Sequence, residues 1–350
     1  MKLHKLLCLI LTLMFILTSC GFKDIDKRFF VVGIGIDKLD KSTSFYDITL
    51  KLAIPNTEPK KGGSNFISFT EQSNSIAEGV RRVKAKVDKE LEFGHMQVIV
   101  FGANLASTDL TSSVDWFSRR RDIQKVAFMA IGSPDAKTVI EKRLHFESLP
   151  SSVLVSSFDG TGTETNYITT QYLFEFYRRH SELGLDPFLP VITIEKDNLK
   201  IDQLALFEKK DLLRTKLILS PEETKLYSLI ANKKRRTSFE INTKNVNYVL
   251  DVHSINRNYE IIETANGNKG EIKFNFKVSG SVEESSEPNK KHDFEIYERE
   301  TAEVLQKKVT ALLKKIQGEG LDPIGFGLHY RSRHWNNDTE WDTWQKLYPD

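Results

Sequence analysis

At 350 residues the chain is long enough for two or three domains with real cores, and 50 basic against 48 acidic side chains leave it nearly neutral. That balance excludes a general nucleic-acid binder, which needs a net basic face. The two cysteines, Cys8 and Cys20, both fall in the opening segment, so the rest of the chain holds together by packing without an internal disulfide.

Residues 1–19 read as a lipoprotein signal peptide. Lys2 and Lys5 give a basic start, and Leu6 to Leu17 is an apolar run broken by Cys8 and Thr12. The run has signal-peptide length and falls short of the ~20 apolar residues that span a bilayer. Leu17-Thr18-Ser19-Cys20 matches the bacterial lipoprotein box. Small residues let a peptidase hold the chain extended, and the Cys20 thiol is the nucleophile that accepts a diacylglyceryl group. Cleavage frees an amine on Cys20 for an N-acyl chain, and at roughly 0.8 kcal/mol per buried CH₂ two or three chains anchor durably. Ordinary secretion and an uncut membrane helix are the plainer alternatives. Without Lys2 and Lys5 the body carries 48 basic and 48 acidic side chains.

The body reads as a mixed α/β, α+β protein in three parts: an N-terminal mixed domain (20–150), a middle region (151–225) and a C-terminal domain (226–350). Strands are predicted over 29–38 and 44–55, rich in β-branched and aromatic residues. A helix is predicted over 73–94, with Ile76, Val80, Val83, Val87 and Leu91 on one face, Ser75 and Glu78 as a capping box and Gly94 as a stop. Strand 95–102, helix 108–122, strand 125–132 and helix 133–144, with Pro134 in its first turn, continue the alternation. Residues 147–166 read as a loop, 169–180 as a helix with an aromatic face, and 192–217 as strands with a hairpin. Ser220-Pro221-Glu222-Glu223 is a helix start with acids at the positive end. Four strand-like runs follow over 235–283, with a turn at Asn266-Gly267. A helix over 293–320 then carries an apolar stripe of Leu305, Val309, Leu312 and Ile316.

The chemistry-bearing candidates are sparse. Gly33-Ile34-Gly35-Ile36-Asp37 lacks the third glycine and following helix of a dinucleotide fingerprint, so its glycines are expected to let strands bend or pack closely. His329 and His334 lie five apart, a weak metal pair; His95, at a helix-to-strand junction, is expected to make a buried hydrogen bond. Ser156-Ser157 lacks nucleophile-elbow glycines. No catalytic residue and no cofactor is assigned. The stretch WFSRRRD (116–122) reads either as a solvated helix face or as a contact for phosphate or lipid headgroups, and NKKRR (232–236) as helix-end electrostatics. Three of the four tryptophans, Trp335, Trp341 and Trp344, fall in the closing segment, as an interface or a small aromatic core.

Several blocks, taken in order, resemble the C subunits of spore germinant receptors, the Ger(x)C lipoproteins. They are LTSC followed by VVGIGIDK, NSIAEGVRRV leading into FGHMQVIVFGANLA, VDWFSRRRDIQKVAFMAIG, IDQLALFEKKDLLRTKL, and LDPIGFGLHYRSRHW with a later WDTW. Asp115 and Arg119 or Arg120 match the family's Asp-aromatic-x-x-Arg helix. Departures are Gly21-Phe22 where the family usually has Trp, Gln203 where Gly is common, and an end at Asp350 where members run on into a further strand. The resemblance implies a non-enzymatic, lipid-anchored subunit on the outer face of the spore inner membrane. It would act with polytopic A-type and B-type subunits in nutrient-triggered germination. It further implies a partner surface including Asp115, Arg119, Trp335, Trp341 and Trp344. The competing class is a solute-binding lipoprotein of a nutrient transporter, which would have a ligand cleft between two α/β lobes.

Overall fold

A computed structural model describes residues 4–5, 27–38, 40, 44–54, 66–142, 152–159, 168–231, 237–243, 246–263, 270–286, 294–334 and 339–348. Cys20, Trp335, NKKRR and the Asn266-Gly267 turn lie outside the described residues.

The first strand, β1 (Arg28–Asp37), pairs antiparallel with β2 (Tyr46–Ala53), and β2 with β3 (Phe66–Ser73). The other edge of β1 takes two parallel neighbours in succession, β4 (Glu90–Glu92) and β5 (Val98–Gly102). Then β6 (Phe128–Ser133) and β7 (Phe188–Glu195) continue in parallel, and β8 (Asn198–Glu208) and β9 (Arg214–Leu219) close the sheet antiparallel. The stretch 188–219 thus belongs to the same sheet as the N-terminal strands.

Central strands buried on both faces explain the continuous apolar runs in the sequence. Side chains alternate across the sheet. Ile99, Phe101, Met129 and Ile131 face one layer; Val98, Val100, Phe128 and Ala130 face the other. The first layer holds α1 (Ile76–Lys84), α2 (Ala103–Ala106) and α3 (Thr111–Arg119), with α6 (Leu173–Ser181). The second holds α4 (Ala136–Glu141) and α5 (Ser152–Asp159).

Four local expectations need correction. The helix expected over 73–94 stops at Lys84, because Glu90–Glu92 instead fills the vacant backbone edge of β1, where Arg28 Nη1 meets Glu92 Oε2 at 2.6 Å. Val87 and Leu91 still pack on the same core, from outside the helix. Pro134 precedes α4, whose cap is Asp135, with its carboxylate accepting from Thr138 N at 2.6 Å. The expected loop 147–166 contains α5, whose Leu154 and Phe158 are buried against the sheet. The four C-terminal runs form three strands, because the second and third are one continuous strand.

Those strands, β10 (Thr237–Asn242), β11 (Asn247–Glu263) and β12 (Gly270–Ser285), make a second, antiparallel sheet. Between the sheets lies α7 (Pro221–Ala231), opened by a reciprocal box: Ser220 N donates to Glu223 Oε2 at 2.9 Å and Glu223 N to Ser220 Oγ at 3.4 Å. The long α8 (Phe294–Gly318) buries Leu305, Val309, Leu312 and Ile316 against Phe239, Ile241, Leu250 and Val252, at roughly 1.5–3 kcal/mol per side chain removed from water. Phe188, Leu204, Leu206 and Leu219 of the large sheet join that same core, which welds the two sheets together. The chain closes with α9 (Phe326–Arg333) and α10 (Glu340–Leu347).

The glycines of GIGID behave as expected. The pairing register of β1 shifts between Val31 and Gly33, and a Cβ on Gly35 would stand 3.2 Å from Ala136. Asp37 at the end of that strand is buried and accepts from Ala136 N (2.7 Å) and Lys137 N (2.9 Å), tying α4 to β1. Burial outweighs these donors and pushes its carboxyl up to about 6.

Candidate functional site

The densest polar constellation among the described residues lies where the loop after α6 meets the start of the LDPIGFG block. Asp322, 4 % exposed, aims its carboxylate at the first turn of α9. Oδ1 accepts from Gly325 N (2.8 Å) and Phe326 N (3.0 Å), and Oδ2 from Gly327 N (2.7 Å). Three donors favour the anion, yet complete burial outweighs them and raises the carboxyl to about 7. Asp322 and Asp186 also exchange backbone contacts. Asp322 N donates to Asp186 Oδ2 at 2.6 Å, and Asp186 N to Asp322 O at 2.9 Å. Burial raises the Asp186 carboxyl as well.

Two cations brace the loop. Lys209 Nζ donates to the carbonyls of Arg179, Glu182 and Leu185, the last at 2.7 Å, and burial lowers it to about 8. Arg179 Nη1 reaches Asp186 O (3.1 Å) and Pro323 O (3.0 Å), while its guanidinium lies 4.5 Å from the Phe188 ring centre. Two tyrosines complete the junction: Tyr227 Oη donates to Pro323 O at 3.1 Å and Tyr348 Oη to Leu321 O at 2.7 Å.

A close backbone approach is here too. Leu328 N donates to Gly184 O at 2.9 Å, and a Cβ on Gly184 would lie 2.4 Å from Gly327 C. A Cβ on Gly327 would lie 2.4 Å from Trp344 Nε1. The arrangement is a latch. Its charged side chains are spent on main-chain groups and on each other, which holds α9 and α10 against the large sheet.

The sequence-predicted residues fall at separate places. Asp115 and Arg119 form an i,i+4 ion pair on α3, with Arg119 Nε 2.9 Å from the carboxylate and the arginine 79 % exposed. Trp344 is buried, stacked on Tyr348 (5.1 Å) and tilted against Tyr330 (5.2 Å), and Trp341 is half-buried against the same cluster. Trp344 also walls a cavity of about 320 Å³ with Ile272, Phe274, Leu313, Phe326 and Tyr348. The α3 pair stands apart from Trp341 and Trp344: α6 and its following loop lie between them, meeting α3 on one side and Arg331, through Leu183 O, on the other.

The histidines singled out from the sequence are occupied in packing. His329 stacks edge-on to Tyr259, and His334 lies over Tyr330 while its Nδ1 meets Tyr330 O at 2.8 Å. His95 is exposed and packs edge-on to Phe30 at 4.9 Å, in place of the buried hydrogen bond expected for it. Among the described residues no three His, Cys, Asp or Glu side chains converge on a metal site. No described helix is long and apolar enough to cross a membrane.

Sequence reasoning missed the latch because its members are far apart in the chain and ordinary in type. The one available signal was the block LDPIGFG, an acid followed by glycines that leave backbone N–H groups open.

Against this geometry, comparisons with known proteins are consistent along the whole body. The family model described as the spore germination protein N-terminal domain matches residues 21–194, and that described as spore germination B3/GerAC like, C-terminal, matches 202–350. A mixed-sheet α+β body of this kind is therefore that of a spore germination protein. Spore germination protein GerQC of Bacillus cereus is 23% identical over 311 residues, covering 81% of this chain and 79% of that protein. Spore germination protein KC of Bacillus subtilis (strain 168) is 21% identical over 376 residues, covering 97% and 91%. The crystal structure of the GerBC protein has the same fold, with a TM-score of 0.55 at 16% identity over 93% of this chain and 96% of that one. The chain belongs to the GerAC-like family, the C subunits of spore germinant receptors.

Proposed function

We propose that this chain is the lipid-anchored, non-enzymatic subunit of a nutrient germinant receptor. It is tethered through a diacylglyceryl group on Cys20 to the outer face of the spore inner membrane and works beside polytopic A-type and B-type subunits. The observation that carries this reading is the juncture at residues 17–21: a Leu-Thr-Ser-Cys box ends where the family match begins. A latch whose charged groups serve the main chain supports a scaffold role over a catalytic one. The fold argues against the solute-binding alternative, since antiparallel strands flank the large sheet and the second sheet is wholly antiparallel.

The test is a pull-down of tagged protein from detergent-solubilised spore inner membranes, read by mass spectrometry, with and without Cys20→Ala. Two polytopic subunits and a lipid mass at Cys20 are expected in the native sample, and release of the Cys20→Ala body with impaired germination. Transporter subunits in the pull-down, or normal nutrient response with a fully soluble variant, would sink the proposal.

A further inference from the structure

One end of the large sheet combines a short reach to the anchor with exposed apolar side chains. The parallel strands β1, β4, β5, β6 and β7 all begin there. Cys20 and Arg28, the first residue of β1, are eight positions apart. A chain of that length reaches about 28 Å when fully extended. Residues 120–127 sit at the same end: Gln124 Nε2 donates to Gly94 O (2.7 Å) and Phe128 N to Gln97 O (2.8 Å), beside the entry to β5.

Val126 is 54 % exposed and Phe174 47 %. The bond from Phe174 N to Lys125 O at 3.0 Å makes them neighbours, with exposed Tyr177 one turn further along α6. The surrounding charges divide into committed and free. Arg119 pairs with Asp115. Arg120 pairs with Asp122 and lies over the Phe93 and Trp116 rings, and Lys125 Nζ is bonded to the Phe117 and Arg120 carbonyls. Arg121 is exposed, and among the described residues neither it nor Lys89 has a carboxylate within ion-pair distance. Lys89 reaches over the Phe29 ring at 5.4 Å, next to Glu90 in the strand that pairs with Arg28.

We propose that this end of the sheet is a membrane-docking face: Val126 and Phe174 enter the headgroup region of an anionic bilayer, with Arg121 and Lys89 at the level of the phosphates. The tether half of this inference rests on lipid attachment at Cys20. A short tether turns docking into an intramolecular event at high effective bilayer concentration, so two apolar side chains and two cations are sufficient to bias orientation. A face so held would fix how the α3 pair and the latch are presented to membrane neighbours.

The test recreates the tether chemically. A chain starting at Cys20 has one thiol, which is coupled to a maleimide lipid in vesicles of phosphatidylglycerol with phosphatidylethanolamine, or of phosphatidylcholine alone. Hydrogen exchange read by mass spectrometry should slow several-fold over 120–127 and the first turn of α6 on the anionic vesicles. It should be unchanged at the β7–β8 turn at the opposite end. The double variant Val126→Glu with Phe174→Glu, and separately Arg121→Glu, should abolish the slowing while leaving exchange of the buried strands intact. Equal exchange on both vesicle types overturns the proposal. So does protection that appears only when polytopic subunits are reconstituted with the chain, which would make the face a protein interface. Protection in the coupled chain together with no lipid mass on Cys20 of the native protein would overturn the anchoring reading alone and leave the docking face standing.

Discussion

Replacing Asp322 by Asn is the sharpest probe of the latch. The substitution keeps the shape and lets Oδ1 go on accepting from Gly325 N and Phe326 N, but it presents an NH₂ to Gly327 N, 2.7 Å away. One buried donor is then left facing another, which costs about 1–3 kcal/mol. Asp322→Ala strands all three N–H groups and opens a void, so about 3–5 kcal/mol is expected. The assay is urea unfolding of the body from residue 21, followed by tryptophan fluorescence, since Trp344 reports from inside the affected cluster. The pH dependence gives a second axis. The Asp322 carboxyl is raised from 3.8 to about 7 in the folded chain, so the folded state holds a proton that the unfolded chain releases between those values. Its contribution is full below pH 3.8 and is lost as pH rises through about 7. Asn has no proton to release, so the gap between wild type and Asp322→Asn should narrow from pH 4 to pH 8. Variants within about 0.5 kcal/mol of wild type would refute the latch. A gap that stays level from about pH 5 to pH 8 would show that the three donors outweigh burial and that the carboxylate is ionised throughout.

Two further outcomes follow from the same contacts. Gly184→Ala forces a side chain into φ +78° with its Cβ 2.4 Å from Gly327 C, and strain with overpacking should cost about 3 kcal/mol by denaturant midpoint. Gly318→Ala, where a Cβ would meet nothing within 4 Å, is the matched control and should change stability by less than about 0.5 kcal/mol. The double variant Asp115→Ala with Arg119→Ala removes an exposed i,i+4 pair worth at most about 0.5 kcal/mol, so its thermal melt should be unchanged. Any loss of polytopic subunits from its pull-down then reads a partner contact, and full recovery would take α3 out of the proposed surface.

Much of the fold was legible in local pattern. The short, largely apolar β5 and β6, the stripe of α8 and the Ser220–Glu223 box all depend on neighbours within a few positions, so their periodicity and caps survive into the structure. The errors came where a distant element decided. Residues 90–92 carry helical periodicity but sit beside an open strand edge, and backbone pairing wins. Gap-like polar positions between 255 and 260 suggested two strands, yet the facing β12 supplies continuous partners and makes one.

The same division holds for function. Sequence by itself showed the match of residues 17–20 to a lipoprotein box and the order of blocks that marks the family, because each is a matter of residue type and short spacing. The tertiary structure alone decided that Asp322, 136 positions from Asp186, shares a buried junction with it. It likewise decided that Trp344 faces inward, and that Val126 and Phe174 stand together at the end of the large sheet where β5 and β6 begin. Burial and long-range proximity are properties of the packed chain: a carboxylate with a raised pKa and an exposed phenylalanine look ordinary until their neighbours are in place.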